Sequence, residues 1–180
     1  MTQINNWVLD RPTPLCQLQL YKGTEGMFAC WATCAEMIVK WKSKYSFFAR
    51  PSFEDYLDGS DGQSQAEYLN FIFDWLSAWG FEVQIEGNHG VWSPQTLATL
   101  LKNKGPLLCI GSFGTSGWSQ DVKTGDLAHA ICVYGYTEKF GGVYYIDPMD
   151  ADTKQMSLNL FRQKIWSGYH SVYARVPNYR

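Results

Sequence analysis

The chain has 180 residues, of which 46% are hydrophobic and 16% aromatic, and this composition excludes a disordered protein. Its length is that of one ordinary domain with a proper core, so we expect a single domain over residues 1–180. The formal net charge of −2 includes no basic excess of the kind that recruits nucleic acid or an anionic membrane surface, so neither is an expected partner.

The N-terminal sequence lacks a basic region followed by an apolar run, so no signal peptide is visible. No apolar stretch approaches the roughly 18 residues needed to span a bilayer. The sequence therefore offers no targeting segment from which a location could be inferred.

An odd number of cysteines at irregular spacing is not the pattern of a disulfide framework, and reduced thiols in a cytosol-like compartment fit better. Two of them fall inside strand-like apolar runs, which predicts inert core thiols. The five are Cys16, Cys30, Cys34, Cys109 and Cys132, and the last two are the core pair.

The first half of the chain is mainly helical in pattern. After an extended N-terminal arm, apolar residues recur at helical spacing over residues 30–42 and again over residues 63–79, where Gly80 ends the second run. Residues 81–85 alternate like a strand, and a Ser-Pro pair at 93–94 opens a short helix that extends to residue 102.

The second half is mainly strand-like, with one helix predicted over residues 157–166. The predicted strands cover residues 107–110, 129–137, 143–147 and 169–176, with a Gly/Ser-rich loop over 111–125. The pattern predicts an α+β fold in which an N-terminal helical half, with the central helix 30–42, packs on a C-terminal antiparallel sheet. A cleft is expected where the two halves meet.

Cys30 follows a glycine-containing turn and opens the central helix. Backbone N–H groups and the positive end of the helix dipole favour a thiolate at such a position, which makes Cys30 a candidate nucleophile. A small buried hydrophobe is the alternative interpretation, because free cysteines commonly fill that role. Cys34 lies one turn later on the same face and is the alternative nucleophile, although it would lie farther from the N–H groups.

His129 and Asp147 are the candidate partners of this thiol. His129 begins one predicted strand and Asp147 ends the next, so antiparallel pairing would place the carboxylate beside the ring. In that position Asp147 would fix the imidazole tautomer and steady the imidazolium, as in a nucleophile–base–orienter triad. Asp126, three residues before the histidine, could compete for the same ring.

Three motifs in this order, CWAT at a helix start, HAICVYGY on a strand and YYIDP on the next, resemble those of papain-like cysteine peptidases. The resemblance extends over about residues 26–148 and is closest to compact bacterial members, namely staphopain-like enzymes, injected effector proteases and peptidases that remove bacteriocin leaders. It implies a papain-like fold and peptide-bond hydrolysis through a thioester acyl-enzyme, with no cofactor and no metal. Cys30, His129 and Asp147 are the implied catalytic residues.

One departure from the family pattern concerns the oxyanion hole. The family usually has a glutamine five or six residues before the nucleophile, where this chain has Thr24 and Glu25. Gln19 is the expected substitute donor, followed by the Thr24 hydroxyl, and Gln17 is also within reach if the loop is long. Trp118, in the loop before the histidine, is the candidate wall of a substrate cleft, and the alternative is that it folds back into the core.

Two alternatives stay open, the first because of this departure and the second because a fold does not fix the reaction class. One is a non-catalytic papain-like binding module, and the other is acyl transfer of the transglutaminase or deamidase type by the same triad. Zinc binding by Cys30, Cys34 and a histidine is a weak third interpretation. The expected partners are a protein or peptide substrate and an inhibitor or immunity protein, in the cytoplasm or in a target cell that receives the protein as an effector or toxin domain.

Overall fold

A computed structural model describes residues 6–22, 29–42, 48–51, 65–85, 92–113, 129–139, 142–165 and 172–175, with only the backbone described over 65–70, 82–85 and 172–175. Its helices are α1 (Gln17–Leu20), α2 (Cys30–Lys42), α3 (Gln65–Ala78), α4 (Pro94–Lys104) and α5 (Leu158–Lys164). Its strands are β1 (Trp7–Val8), β2 (Glu82–Ile85), β3 (Leu107–Gly111), β4 (His129–Thr137), β5 (Gly142–Asp147), β6 (Asp152–Ser157) and β7 (Val172–Arg175).

The strands form one antiparallel sheet in the order β2-β7-β3-β4-β5-β6, and β1 pairs with the far end of β4. The first residues of β4 pair with the last residues of β3, with Gly111 opposite His129. On the other side of β4, Cys132 pairs with Ile146, so the start of β4 lies beside the end of β5. This register places His129 and Asp147 at the same edge of the sheet.

Helix α2 is buried along ten consecutive residues, from Cys30 to Val39, and is therefore a core helix rather than an amphipathic surface helix. It packs with α3 against one face of the sheet, where it meets Leu108, Ala130 and Ile146. Because the helix is enclosed on every side, its N-terminus is held in a fixed position relative to β4.

The opposite face of the sheet carries a second core cluster. Leu97 and Leu101 of α4 and Phe161 of α5 pack there against alternate strand residues such as Cys109 and Ile131. Neighbouring strand positions therefore face different helices, as the pleat requires. The sheet lies between α2 and α3 on one side and α4 and α5 on the other.

A buried charge on α2 is fully paired. Glu36 is 2% exposed and accepts hydrogen bonds from Arg50 Nε at 2.9 Å, Arg50 Nη2 at 3.1 Å and Lys40 Nζ at 2.5 Å. Burial opposes ionisation of Glu36, but the Arg50 and Lys40 contacts outweigh it and lower the pKa of this carboxyl. The cluster fixes residues 48–51 against the central helix.

The N-terminal arm runs across the domain as predicted and is tied down at several points. Leu9 N donates to Tyr134 O at 3.0 Å, and Trp41 Nε1 donates to Asp10 O at 2.6 Å. The arm then continues into the short helix α1, where the backbone N–H of Gln17 donates to the carbonyl oxygen of Pro148, the residue after Asp147. The arm therefore brings α1 to the edge of the sheet where β5 ends.

The predicted α+β class is confirmed, and the predicted limits of α2 and β4 match the observed ones. The helix predicted over 63–79 ends at Ala78, the one predicted over 157–166 extends from Leu158 to Lys164, and the one predicted over 93–102 extends to Lys104. Strand β6 was not predicted, because its side chains are mostly exposed and carry no apolar alternation. Within the described parts of the chain, no helix is both long and apolar enough to cross a membrane.

Candidate active site

The candidate site lies where the N-terminus of α2 meets the start of β4 and the end of β5. Cys30 is the first residue of α2, and the carbonyl of Ala29 accepts the first hydrogen bond of the helix from Thr33 N at 2.9 Å. His129 is the first residue of β4, and Asp147 is the last of β5. All three side chains are buried, at 7%, 9% and 1% exposure in chain order.

His129 and Asp147 are in direct contact, as the predicted strand pairing requires. His129 Nε2 donates to Asp147 Oδ1 over 2.7 Å. The ring also hydrogen-bonds the Cys30 side chain, and Nδ1 is the nitrogen that remains to do so. The imidazole therefore bridges the thiol and the carboxylate through its two nitrogens.

The Cys30 sulfur is fixed against the sheet by a second contact. Ala130 N, the amide that follows the histidine, donates to Cys30 Sγ at 3.4 Å. Since β4 supplies both this amide and the His129 ring, the helix and the strand cannot move independently without breaking both contacts. The arrangement holds the thiol next to the group that would exchange a proton with it.

The site favours a charged histidine. Burial opposes the charged ring, but hydrogen bonds to Asp147 and Cys30 outweigh it and raise the pKa of His129 from 6.5 to about 10. Burial likewise opposes ionisation of Asp147, whereas His129 and then Lys154 lower the pKa of its carboxyl from 3.8 to about 2. At neutral pH the two side chains therefore form an imidazolium–carboxylate pair.

Lys154, on β6, is a site residue that the sequence reasoning missed. Its Nζ donates to Asp147 Oδ2 at 2.9 Å and to Asp150 Oδ2 at 2.5 Å. In the β5–β6 register Lys154 pairs with Tyr145 and thus lies diagonal to Asp147. A β-hairpin predicted over the polar residues that follow the Asp-Pro motif would have placed Lys154 near Asp147.

The remaining described thiols do not take part in this arrangement. Cys34 is fully buried inside α2, and burial raises its pKa well above the ordinary value. Burial also raises the pKa of Cys109 and of Cys132, as expected for core thiols. In the described ranges no group of three or more His, Cys, Asp or Glu side chains could hold a metal ion. These observations favour Cys30 over Cys34 as the reactive thiol.

The expected oxyanion donor, Gln19, is exposed on α1, whereas Gln17 is fully buried. Residues two apart in a helix point about 200° apart, so only one of them can face the core. Gln17 N donates to Pro148 O at 2.7 Å, and Cys16 Sγ donates to Met149 O at 3.3 Å. These contacts place Gln17, not Gln19, on the buried side of α1, beside the turn that follows Asp147.

Four residues discussed from the sequence lie outside the described part of the chain. They are the candidate donor Thr24, its neighbour Glu25, the candidate cleft residue Trp118 and the competing carboxylate Asp126.

Comparison with protein-family models matches residues 11–166 to a family described as the papain-like cysteine protease AvrRpt2. The chain belongs to this family. It is therefore a papain-like cysteine protease, and the matched region contains α1, α2, β4 and β5 with Gln17, Cys30, His129 and Asp147. Among curated proteins, the comparison finds no match. As a member of this family, the protein acts on protein or peptide substrates.

Proposed function

We propose that this papain-like protease cleaves peptide bonds by forming a thioester on Cys30, with His129 as general acid and base and Asp147 as the group that orients the ring. The single observation that carries the proposal is the hydrogen-bonded chain from the Cys30 side chain through the imidazole to Asp147 Oδ1, with 2.7 Å for the last step. A nucleophile, a base and an orienter in contact are the parts that covalent acyl transfer requires.

The reaction then follows from the charges. The Cys30 thiolate attacks the substrate carbonyl, and the imidazolium of His129 donates its proton to the leaving amine as the carbon–nitrogen bond breaks. The neutral ring next removes a proton from water, which attacks the thioester and releases the new carboxylate. The carbon–sulfur bond breaks as Cys30 leaves as a thiolate, and the proton taken from water remains on His129, so the starting thiolate–imidazolium pair is restored. Asp147 keeps its contact with Nε2 throughout and so holds the other nitrogen toward the sulfur.

The tetrahedral intermediate needs hydrogen-bond donors for its oxyanion. The N–H groups in the first turn of a helix have no intrahelical acceptor, so the Cys30 N–H is suited to provide one. We assign the second donor to the Gln17 side chain, because it is buried on the side of α1 that is tied to Pro148. This residue supplies the family's amide from 13 positions before the nucleophile, counted on the sequence.

The assignment of Gln17 bears on the non-catalytic alternative. That alternative rested on the absence of an amide side chain at residues 24 and 25. A buried glutamine on α1 removes this reason, and no described feature favours an acceptor other than water. We also propose that the protein is an effector that acts inside a target cell, since the family is named for AvrRpt2, a bacterial effector.

The test compares wild-type protein with Cys30→Ala in lysates of bacterial and eukaryotic cells, followed by a proteome-wide search for new protein N-termini. The proposal predicts new N-termini with the wild type and none with Cys30→Ala. Cys16→Ala is the matched control, because Cys16 is the more exposed thiol yet lies outside the proposed triad. Identical N-terminal profiles for wild type and Cys30→Ala, with both proteins folded, would overturn the proposal.

A further inference from the structure

Every oxygen of the Asp147 carboxylate is engaged. Oδ1 accepts from His129 Nε2 at 2.7 Å and from Met149 N at 3.0 Å. Oδ2 accepts from Lys154 Nζ at 2.9 Å, and the same ammonium group bonds Asp150 Oδ2 at 2.5 Å. The Lys154 side chain is 24% exposed, so the cation lies mostly within the protein. Asp147 is thus held between the imidazole on one side and a fixed ammonium on the other.

The two contacts on opposite oxygens constrain how the carboxylate can rotate. If Oδ2 had no partner, the group could turn about its last torsion, which is broad for aspartate, and change the direction in which Oδ1 meets the ring. Asp150 fixes the ammonium in turn, since it binds Lys154 from the turn that precedes β6. The contacts form a chain from a surface carboxylate, through the lysine, to the imidazole.

We propose that Lys154 is a positioning residue for the peptidase reaction: it fixes the orientation of Asp147 and limits how tightly this carboxylate holds the imidazolium proton. The inference rests on the proposed function of Cys30 and His129. Lys154 does not touch the reacting atoms, and it acts only through Asp147.

The chemical reason is the double role of the histidine. A buried carboxylate at 2.7 Å strongly favours the charged ring, yet a general acid must release its proton to the leaving amine within the reaction. A cation at Oδ2 repels the imidazolium and offsets part of the attraction that the Asp147 carboxylate exerts on it, because charges in a protein still interact over a few ångströms. Lys154 therefore keeps the imidazolium more acidic than Asp147 alone would.

The other charged or titratable groups near the pair are few among the described residues. Helix α2 contributes Cys30, which bonds the ring, and Cys34, which interacts electrostatically with Asp147. Strand β5 contributes Tyr145, and the turn before β6 contributes Asp150. Burial raises the pKa of Tyr145, so its hydroxyl is neutral at pH 7. Lys154 is the cation that directly contacts Asp147 besides the imidazolium itself.

The alternative is a purely structural role, in which Lys154 only strengthens the β5–β6 hairpin. Loss of the lysine would then change stability without changing the proton affinity of His129. The two roles are separated by a titration of the histidine ring, which a structural role leaves unchanged.

The experiment is an NMR titration of the His129 ring between pH 6 and pH 12, assigned with His129→Gln among the three histidines of the chain. Wild type is compared with Lys154→Met and Lys154→Arg. The proposal predicts that Lys154→Met raises the pKa of His129 by about 1, whereas Lys154→Arg, which keeps the charge, stays within about 0.3 of wild type. Lys102→Met is the matched control, since it removes one lysine from α4 on the other face of the sheet.

Kinetics give a second readout. With a cleavable peptide, Lys154→Met should lower kcat by about 10-fold with little change in KM, and Lys154→Arg should restore most of the loss. An unchanged or lowered pKa of His129 in folded Lys154→Met would overturn the proposal. If Lys154→Met does not fold, Lys154→Gln replaces it with the same expected direction.

This experiment also separates the inference from the proposed function. The NMR titration requires no peptidase activity, so it decides the role of Lys154 even if Cys30→Ala leaves all cleavage intact. The converse result is cleavage that depends on Cys30 while the pKa of His129 is the same in Lys154→Met as in wild type. That result would refute only the role of Lys154.

Discussion

Replacement of Asp147 by asparagine removes one charge from the centre of the site while keeping its shape. The asparagine side-chain oxygen can still accept from His129, but the attraction between carboxylate and imidazolium is lost. The neutral amide would also face Lys154, which then keeps only Asp150 as a charged partner. The change therefore tests the electrostatic role of Asp147 separately from its packing.

The expected magnitude follows from the proton affinity of the ring. The pKa of His129 rises from 6.5 to about 10, and this rise corresponds to about 5 kcal/mol in favour of the imidazolium. Contacts with both Asp147 and Cys30 produce it, against the cost of burial. We expect Asp147→Asn to remove the larger part and to lower the pKa of His129 by about 2 to 3.

The protonation state of His129 sets the alkaline limit of activity. In wild type the imidazolium is present at low pH and is lost as pH rises through about 10, so activity should decline on that alkaline limb. In Asp147→Asn the same limb should move down to about pH 7 to 8. Turnover at neutral pH should fall by about 10²-fold or more, because the ring also loses its orienting partner.

The assay is the rate of Cys30 alkylation by iodoacetate from pH 5 to pH 11, because this anionic reagent is attracted by the imidazolium and reacts more slowly once the ring loses its proton, with peptide cleavage where a substrate is available. Asp74→Asn is the matched control, because Asp74 is an exposed carboxylate on α3, a helix that contributes no residue to the site. An alkaline limb at the same pH in wild type and Asp147→Asn would refute the electrostatic reasoning, even if turnover fell.

Three further predictions concern the oxyanion hole and the fold. Gln17→Ala should lower kcat by about 10²-fold with little change in KM, whereas Gln19→Ala should leave steady-state turnover unchanged; the reverse ranking would contradict our assignment. Arg50→Met should reduce the free energy of unfolding by about 3 kcal/mol at pH 7, because it leaves the buried Glu36 carboxylate with one cation. Contacts in the folded protein lower the pKa of Glu36, so the stabilisation that they provide is lost as pH falls below about 4.5. Denaturant titrations should therefore show that the difference in unfolding free energy between wild type and Arg50→Met becomes smaller at low pH. A difference that does not change with pH would be inconsistent with this. Gly111→Ala should destabilise the fold by about 3 kcal/mol in thermal unfolding, because a β-carbon there would collide with the backbone at the end of α5, and a smaller loss than about 1 kcal/mol would show that this backbone yields.

The parts of the structure that local sequence signals determine could be predicted. Helix α2 is apolar along its buried length except at Thr33 and Glu36, and glycines precede it in the sequence, so its limits followed from the sequence. Strand β4 is equally apolar, and the positions of His129 and Asp147 at adjacent strand ends required only antiparallel pairing. The contact between these two side chains followed from the same argument.

What could not be predicted depends on long-range register. Strand β6 is an edge strand with mostly exposed side chains, so its sequence carries no apolar alternation. Lys154 reaches Asp147 only through the β5–β6 pairing, which that missing strand defines. Gln17 was ranked behind Gln19 because the tie between α1 and Pro148, which selects the buried face of the helix, joins distant parts of the chain.

The central claim is that Cys30 is the reactive nucleophile and that its reactivity depends on His129. The most direct measurement is labelling of native protein with a peptidyl epoxide at pH 7, followed by peptide mapping of all five cysteines. We expect one label, on Cys30, that is absent in Cys30→Ala and forms at least about 10²-fold more slowly in His129→Gln. Labelling of Cys16 or Cys34 in place of Cys30, or an equal rate in His129→Gln, would contradict it.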